Sequence, residues 1–154
     1  MKKYSDEPNI LIVPVFINTV IFLLLSTLHF YWTFGGKFWH EDVLPTNSKG
    51  TNRLNPSTAA SLVIAIALLL LALITAGNQG LFDKYVKRKY FIYGSLAIAI
   101  IFFLRAIGDF RFIGFFKTVN KTRFGMNDTL IFSPLCLFIA LLSLFIFMFN
   151  RNKP

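Results

Sequence analysis

Two ionisable residues, Arg105 and Asp109, close an apolar run that begins near Phe91. A charged side chain entering a hydrocarbon layer is costly, and by default it marks a functional site. Four residues apart on a helix, the two share a face and could pair. The order Arg before Asp is the weaker one at this spacing. Asp109 would also stand at a helix C-terminus, where the macrodipole disfavours an anion. A closed internal pair therefore explains them poorly. Asp109 is expected to find another partner, with His29, Arg111, Lys117 or Arg123 in reach by depth, unless the helix breaks at Gly108 and Asp109 belongs to the connection. Arg105 would then have donors to spare. The competing reading is a structural ionic latch with a snorkelling arginine.

Other chemistry is sparsely represented. His29, His40, Glu41, Asp42, Asp109 and Asp128 are of metal-ligand type but lack the close spacing of zinc sites, so neither a metal nor a cofactor is expected. There is no Gly-rich phosphate loop, no His-Glu-x-x-His and no Gly-x-Ser-x-Gly. The single cysteine, Cys136, excludes an intramolecular disulfide and any Cys-x-x-Cys centre, and reads as a small buried residue. Asn120-Lys121-Thr122 and Asn127-Asp128-Thr129 match the short glycosylation pattern, which requires a secretory compartment.

The elements that must position these residues are membrane spans. The chain has 154 residues, 55% hydrophobic and 15% charged, with a mean hydropathy of +0.61; a soluble domain carries about 25% charged residues. A hydrocarbon core of about 30 Å needs roughly 20 helical residues. The apolar blocks give four spans, about 10–34, 57–76, 90–110 and 130–149, in one all-α membrane domain, a four-transmembrane-helix bundle. The first span is too long for a signal peptide and ends in His29-Phe30-Tyr31-Trp32, which is no cleavage site; a kink is expected at Pro14. Asn55-Pro56-Ser57 starts the second span, Gly77-Asn78-Gln79-Gly80 stops it, and Asn127-Asp128-Thr129 caps the fourth. Trp32 and Trp39 fit interfacial anchoring.

Four spans put both termini on one side. That side holds eight basic residues, four of them in the compact loop Lys84, Lys87, Arg88 and Lys89, against seven on the other. The positive-inside rule then places the termini in the cytoplasm. The net charge of +9 lies in short connections and tails, so anionic headgroups rather than nucleic acid are the expected partner.

Small and polar residues recur at helical spacing. Asn18, Ser26, His29 and Thr33 fall within about 80° of one another at roughly 100° per residue. Gly94, Ala97, Ile101, Arg105 and Gly108 form a second stripe, with Asp109 at its edge, and Ser133, Cys136, Ala140 and Ser143 a third. Such stripes let membrane helices approach closely. At about 1.5 Å per residue, Arg105, His29 and Ser133 all lie roughly 8 Å inside the end of the bundle away from the termini. This shared level predicts a polar pocket.

The segments His29-x-Tyr31-Trp32-x-x-Gly35-Gly36, Pro45, Arg105-x-x-Gly108-Asp109-Phe110-Arg111-x-x-Gly114, Asp128 and Ser133-Pro134-Leu135-Cys136 resemble a bacterial family of small four-span membrane proteins, described only as a domain of unknown function. The resemblance covers nearly the whole chain and implies a bacterial inner-membrane protein. It implies no activity, substrate or cofactor.

The resulting expectation is a binding protein for a small anionic or amphiphilic ligand or a lipid headgroup, held in an outer-leaflet pocket by His29, Trp32, Arg105, Asp109, Asp128 and Ser133. One alternative is an intramembrane enzyme. Histidine titrates near neutral pH and burial can tune a carboxylate, which would make His29 and Asp109 an acid–base pair. A subunit of a homo-oligomeric transporter is the other alternative.

Overall fold

The structure, a computed structural model, describes residues 10–45 and 57–151. The N-terminal tail, Asn55-Pro56 and the polar part of the first connection, and residues 152–154 lie outside them. Four helices are long and apolar enough to cross a membrane: α1 (Ile12–Thr33), α2 (Thr58–Gly77), α3 (Arg88–Ile107) and α4 (Arg123–Arg151). No strand occurs among the described residues, as the all-α reading requires.

Local chemistry sets the helix ends. Pro14 falls in the first turn of α1, where a missing N–H breaks no intrahelical bond, so the expected cause of a kink is absent. At the other end Gly35 has φ +87°. The Gly36 N–H donates to the Tyr31 carbonyl at 2.9 Å and the Gly35 N–H to that of Trp32 at 3.0 Å, the paired bonds of a Schellman stop. Ser57 caps α2, its Oγ accepting from the Ala60 N–H at 3.2 Å. Thr122, not the expected Asn127-Asp128-Thr129, caps α4 by accepting from the Gly125 N–H at 3.0 Å. The fourth span therefore starts at Arg123 rather than near Leu130. Polar residues opening a helix can lie inside it when a capping side chain stands further upstream.

α1 packs along α2 and α3 along α4, and the two pairs close into a bundle. All four helices meet around Phe22, Leu68, Ala72, Ile98 and Ile139. The first and third stripes face inward: Asn18, Ser26, Ser133, Ala140 and Ser143 are buried, and Cys136 is half-buried. Ser26 Oγ donates to the Ala65 carbonyl at 2.8 Å, and the Asn18 amide to Ser143 Oγ at 2.8 Å. The stripe expected on α3 holds only in part: Gly94 packs closely against Ile74 of α2 and Arg105 reaches α4, but its middle does not face inward. Ala97 and Ile101 are exposed, and the buried face is Phe91, Ser95, Ile98, Ala99 and Ala106. Large apolar side chains are tolerated outward because lipid is as apolar as the core.

At the end bearing the termini the spans are fastened by neutral amides. Fully buried Asn78 donates to Ser95 Oγ at 2.9 Å, and its side-chain oxygen accepts from the Asn150 amide at 3.0 Å. Arg88 Nη2 donates to the Asn78 carbonyl at 2.8 Å. One side chain thus joins α2, α3 and α4. Asn78→Ala should lower stability by about 1–2 kcal/mol, the upper range for hydrogen bonds between membrane helices, read as a lower unfolding midpoint in a detergent titration.

Candidate functional site

The site is built at the end of the bundle away from the termini, around Asp128. This carboxylate is wholly buried, and burying a charge is tolerable only when it is paired and hydrogen-bonded. Four donors meet it. Arg105 Nη2 reaches Oδ1 at 2.8 Å. On Oδ2 converge the Gly114 N–H at 2.7 Å, Lys117 Nζ at 3.0 Å and Ser133 Oγ at 3.1 Å. The Lys117 ammonium is buried too, and its other bonds go to the Gly114 carbonyl at 3.1 Å and Thr129 Oγ1 at 2.6 Å.

Each donor has a local reason for its position. α3 stops at Ile107 because Gly108 turns out of the helix at φ +90°, and Gly114 repeats that conformation. A Cβ on Gly108 would overlap the Ile113 carbonyl, and one on Gly114 the Ile107 carbonyl, so both positions require glycine. Between them Asp109 Oδ1 accepts from the backbone N–H groups of Arg111, Phe112 and Ile113 at 2.9, 2.7 and 3.0 Å. The Phe115 N–H returns to the Ala106 carbonyl at 2.9 Å. The loop so closed aims the Gly114 N–H at Asp128. On α4, Asp128–Phe132 forms a π-helical turn in which the Ser133 N–H donates to the Asp128 carbonyl. In a regular helix residues five apart stand about 140° apart at 100° each; the wider turn brings Ser133 Oγ beneath the carboxylate. Single π turns of this kind are frequent at functional sites.

The sequence-derived candidates divide into three groups. Arg105, Asp128 and Ser133 come together. Asp109 lies outside α3, in the connection, and is exposed. The span boundary near residue 110 is corrected to Ile107, and Asp109's partners are amides rather than a cation. His29 and Trp32 pack edge to face at 4.8 Å near the end of α1, with His40 against Trp32 at 5.9 Å. His29 Nδ1 bonds to the Leu25 carbonyl at 2.9 Å, and Trp32 Nε1 donates to that of Phe38 at 2.8 Å. Among the described residues no hydrogen bond joins His29 or Trp32 to the Asp128 cluster, or His29 to Asp109. Among the same residues no three His, Cys, Asp or Glu side chains converge as metal ligands.

The Gly114 amide is the donor that sequence reasoning missed, and Lys117, expected only as a possible partner of Asp109, serves Asp128 instead. The available signal was a lone lysine flanked by Phe115, Phe116 and Val119 in an otherwise greasy connection. The result is two cations on one carboxylate, with an excess of positive charge. Arg105 Nη1 is buried and has no hydrogen-bond partner among the described residues, while the side chain as a whole remains 30% exposed. Arg105 thus keeps an unused charged donor beside Asp128; planar guanidinium groups can contact a carboxylate or phosphate bidentately.

Residues 22–143 match the family described as protein of unknown function DUF3995. The chain belongs to that family. No curated protein and no solved structure matches it. In this DUF3995 chain the two motif segments of the sequence have structural readings: Tyr31 to Gly36 is a helix stop, and Arg105 to Gly114 is a second stop whose loop supplies donors to Asp128.

Asp128→Ala should cost about 3–5 kcal/mol, since it leaves the Lys117 charge buried without its counter-ion. Adding Lys117→Met should restore part of that loss in the same detergent unfolding assay. Asp109 gives a pH signature. Slight desolvation raises its pKa, but the N–H groups of Ile113, Phe112 and Arg111 outweigh this and hold it below the ordinary 3.8. The carboxylate's contribution to loop stability is therefore complete above that value and lost as pH falls through the lower folded one. Hydrogen exchange at Arg111, Phe112 and Ile113 should stay protected at neutral pH and lose that protection only below 3.8, whereas Asp109→Ala should expose these amides at every pH.

Proposed function

We propose that the protein binds a small anionic or amphiphilic ligand, such as a lipid headgroup, at Arg105. The observation that carries this reading is the buried, unpartnered Nη1 of Arg105 beside a carboxylate already shared with Lys117. In hydrocarbon an unused charged donor is expensive, and an anion arriving from the headgroup region would satisfy it. Arg105 touches the ligand. Asp128 orients Arg105, and Ser133, Lys117 and the Gly114 amide hold Asp128. His29 and Trp32 stand at the same end of the bundle, and the reading does not need their contact. The setting we favour is a bacterial cytoplasmic membrane with the termini inside, on the basis of the Lys-rich connection between α2 and α3. The anion would then come from the outer leaflet.

The test is binding of phosphatidylglycerol to the purified protein in zwitterionic nanodiscs. Arg105→Gln should weaken it about 10–100-fold, as loss of a hydrogen bond from a charged donor predicts. Arg105→Lys should retain part of it, because a point charge remains but the fork is lost. The fold should tolerate both changes, since Lys117, Gly114 and Ser133 still satisfy Asp128. Equal binding by the wild type and Arg105→Gln would remove the reading.

A further inference from the structure

A groove lies between α1 and α2 at the end of the bundle bearing the termini, far from Arg105. It holds about 250 Å³ and is lined by Ile12, Val15, Phe16, Thr19, Ala76 and Leu81, among others. Its rim is open, since Ile12, Phe16 and Leu81 are all exposed. Its polar lining is the Gln79 side chain and the Thr19 hydroxyl, and the hydroxyl stands out. Thr27, Thr33 and Thr75 of the same two helices each donate to the carbonyl four residues back at 2.8 Å. The Thr19 hydroxyl does not: its Oγ1 is buried and has no hydrogen-bond partner among the described residues.

The surroundings name the occupant. α2 ends at Gly77, next to Ala76, and α1 begins at Ile12, so the groove opens at the edge of the span and runs about two turns of α1 inward to the Thr19 hydroxyl. At that edge the bilayer changes from acyl chains to glycerol esters. Beyond Leu81 the chain enters the connection holding Lys84, Lys87 and Lys89, all exposed. Lys84 is three residues from Leu81, at most about 11 Å along an extended chain. The negative charge of Asp83 is turned towards Arg88 at 3.7 Å and leaves the lysines unneutralised. Basic segments at a membrane surface attract anionic lipid, and an apolar groove with one hydroxyl fits an acyl chain and its ester.

We infer that this groove retains one anionic phospholipid, with an acyl segment against Val15 and Phe16, an ester carbonyl accepting from the Thr19 hydroxyl, and the phosphate among the lysines. The site is separate from the one at Arg105 and does not depend on it.

The test uses the full chain in nanodiscs of equal phosphatidylglycerol and phosphatidylcholine, with the lipids retained after gentle release counted by native mass spectrometry. The wild type should keep phosphatidylglycerol several-fold over phosphatidylcholine at this site. Ala76→Phe, which fills the groove from a half-exposed position, should lose one lipid, and Thr19→Val should lower its occupancy two- to threefold. Lys84→Gln/Lys87→Gln, confined to exposed side chains, should keep the lipid but bring the preference to about one. Arg105→Gln removes the lipid proposed at the far end, and in that background the same three changes should still be read at the groove, which separates the two sites. Wild-type lipid retention by Ala76→Phe overturns the proposal. An unaltered preference in the lysine variant overturns the anionic assignment.

Discussion

A carboxylate withdrawn from water must be supplied with donors by the protein, and Asp128 takes four from three separate segments. Arg105 comes from the last turns of α3, Gly114 and Lys117 from the following connection, and Ser133 from α4 itself. Each places a demand on the backbone. α3 must stop at Ile107, the connection must double back tightly enough to aim an amide inward, and α4 must widen by one residue. The glycines at φ +90°, the Asp109 carboxylate that gathers three amides, and the π turn answer those demands. Misplacing any of them would weaken the set of donors around a buried charge, and a buried charge left unpaired is among the costliest defects a fold can carry.

The two ends of the bundle solve the polar problem differently. Near the termini Asn78, Ser95 and Asn150 exchange neutral hydrogen bonds within the protein, so that end acts as a fastening. At the far end the charges do not balance: one anion meets two cations, and Nη1 of Arg105 has no partner among the described residues. Low polarity strengthens satisfied bonds and penalises unsatisfied ones alike. The same physics makes the first network a clamp and leaves the second with an unused donor.

The four spans were legible in the chain because bilayer thickness translates directly into a length of apolar residues. The inward faces of α1 and α4 were legible as well, since small and hydroxyl residues such as Asn18, Ser26, Ala140 and Ser143 mark close approach. On α3 that signal misled. Ala97 and Ile101 point outward, because small and large apolar residues are equally at home against lipid and periodicity alone has no solvent contrast to work with.

The spare donor capacity of Arg105 followed from residue order and dipole direction alone, without knowledge of any partner. Its partner did not. Arg105 and Asp128 are 23 residues apart, and a pairing at that separation depends on how the helices pack rather than on spacing along one of them. Asp128 looked like a cap because polar residues commonly open helices, whereas Thr122 upstream takes that task. Ser133 reaches the carboxylate only because the helix departs from 3.6 residues per turn at that place. Lys117 was readable as a nearby cation, yet only the closed loop decides that it points inward. The sequence by itself therefore determined the number of spans and the presence of an underused arginine, since both rest on local chemistry. Tertiary structure alone decided which carboxylate it serves and which edge of the guanidinium stays free, since both rest on segments that meet only in the folded bundle.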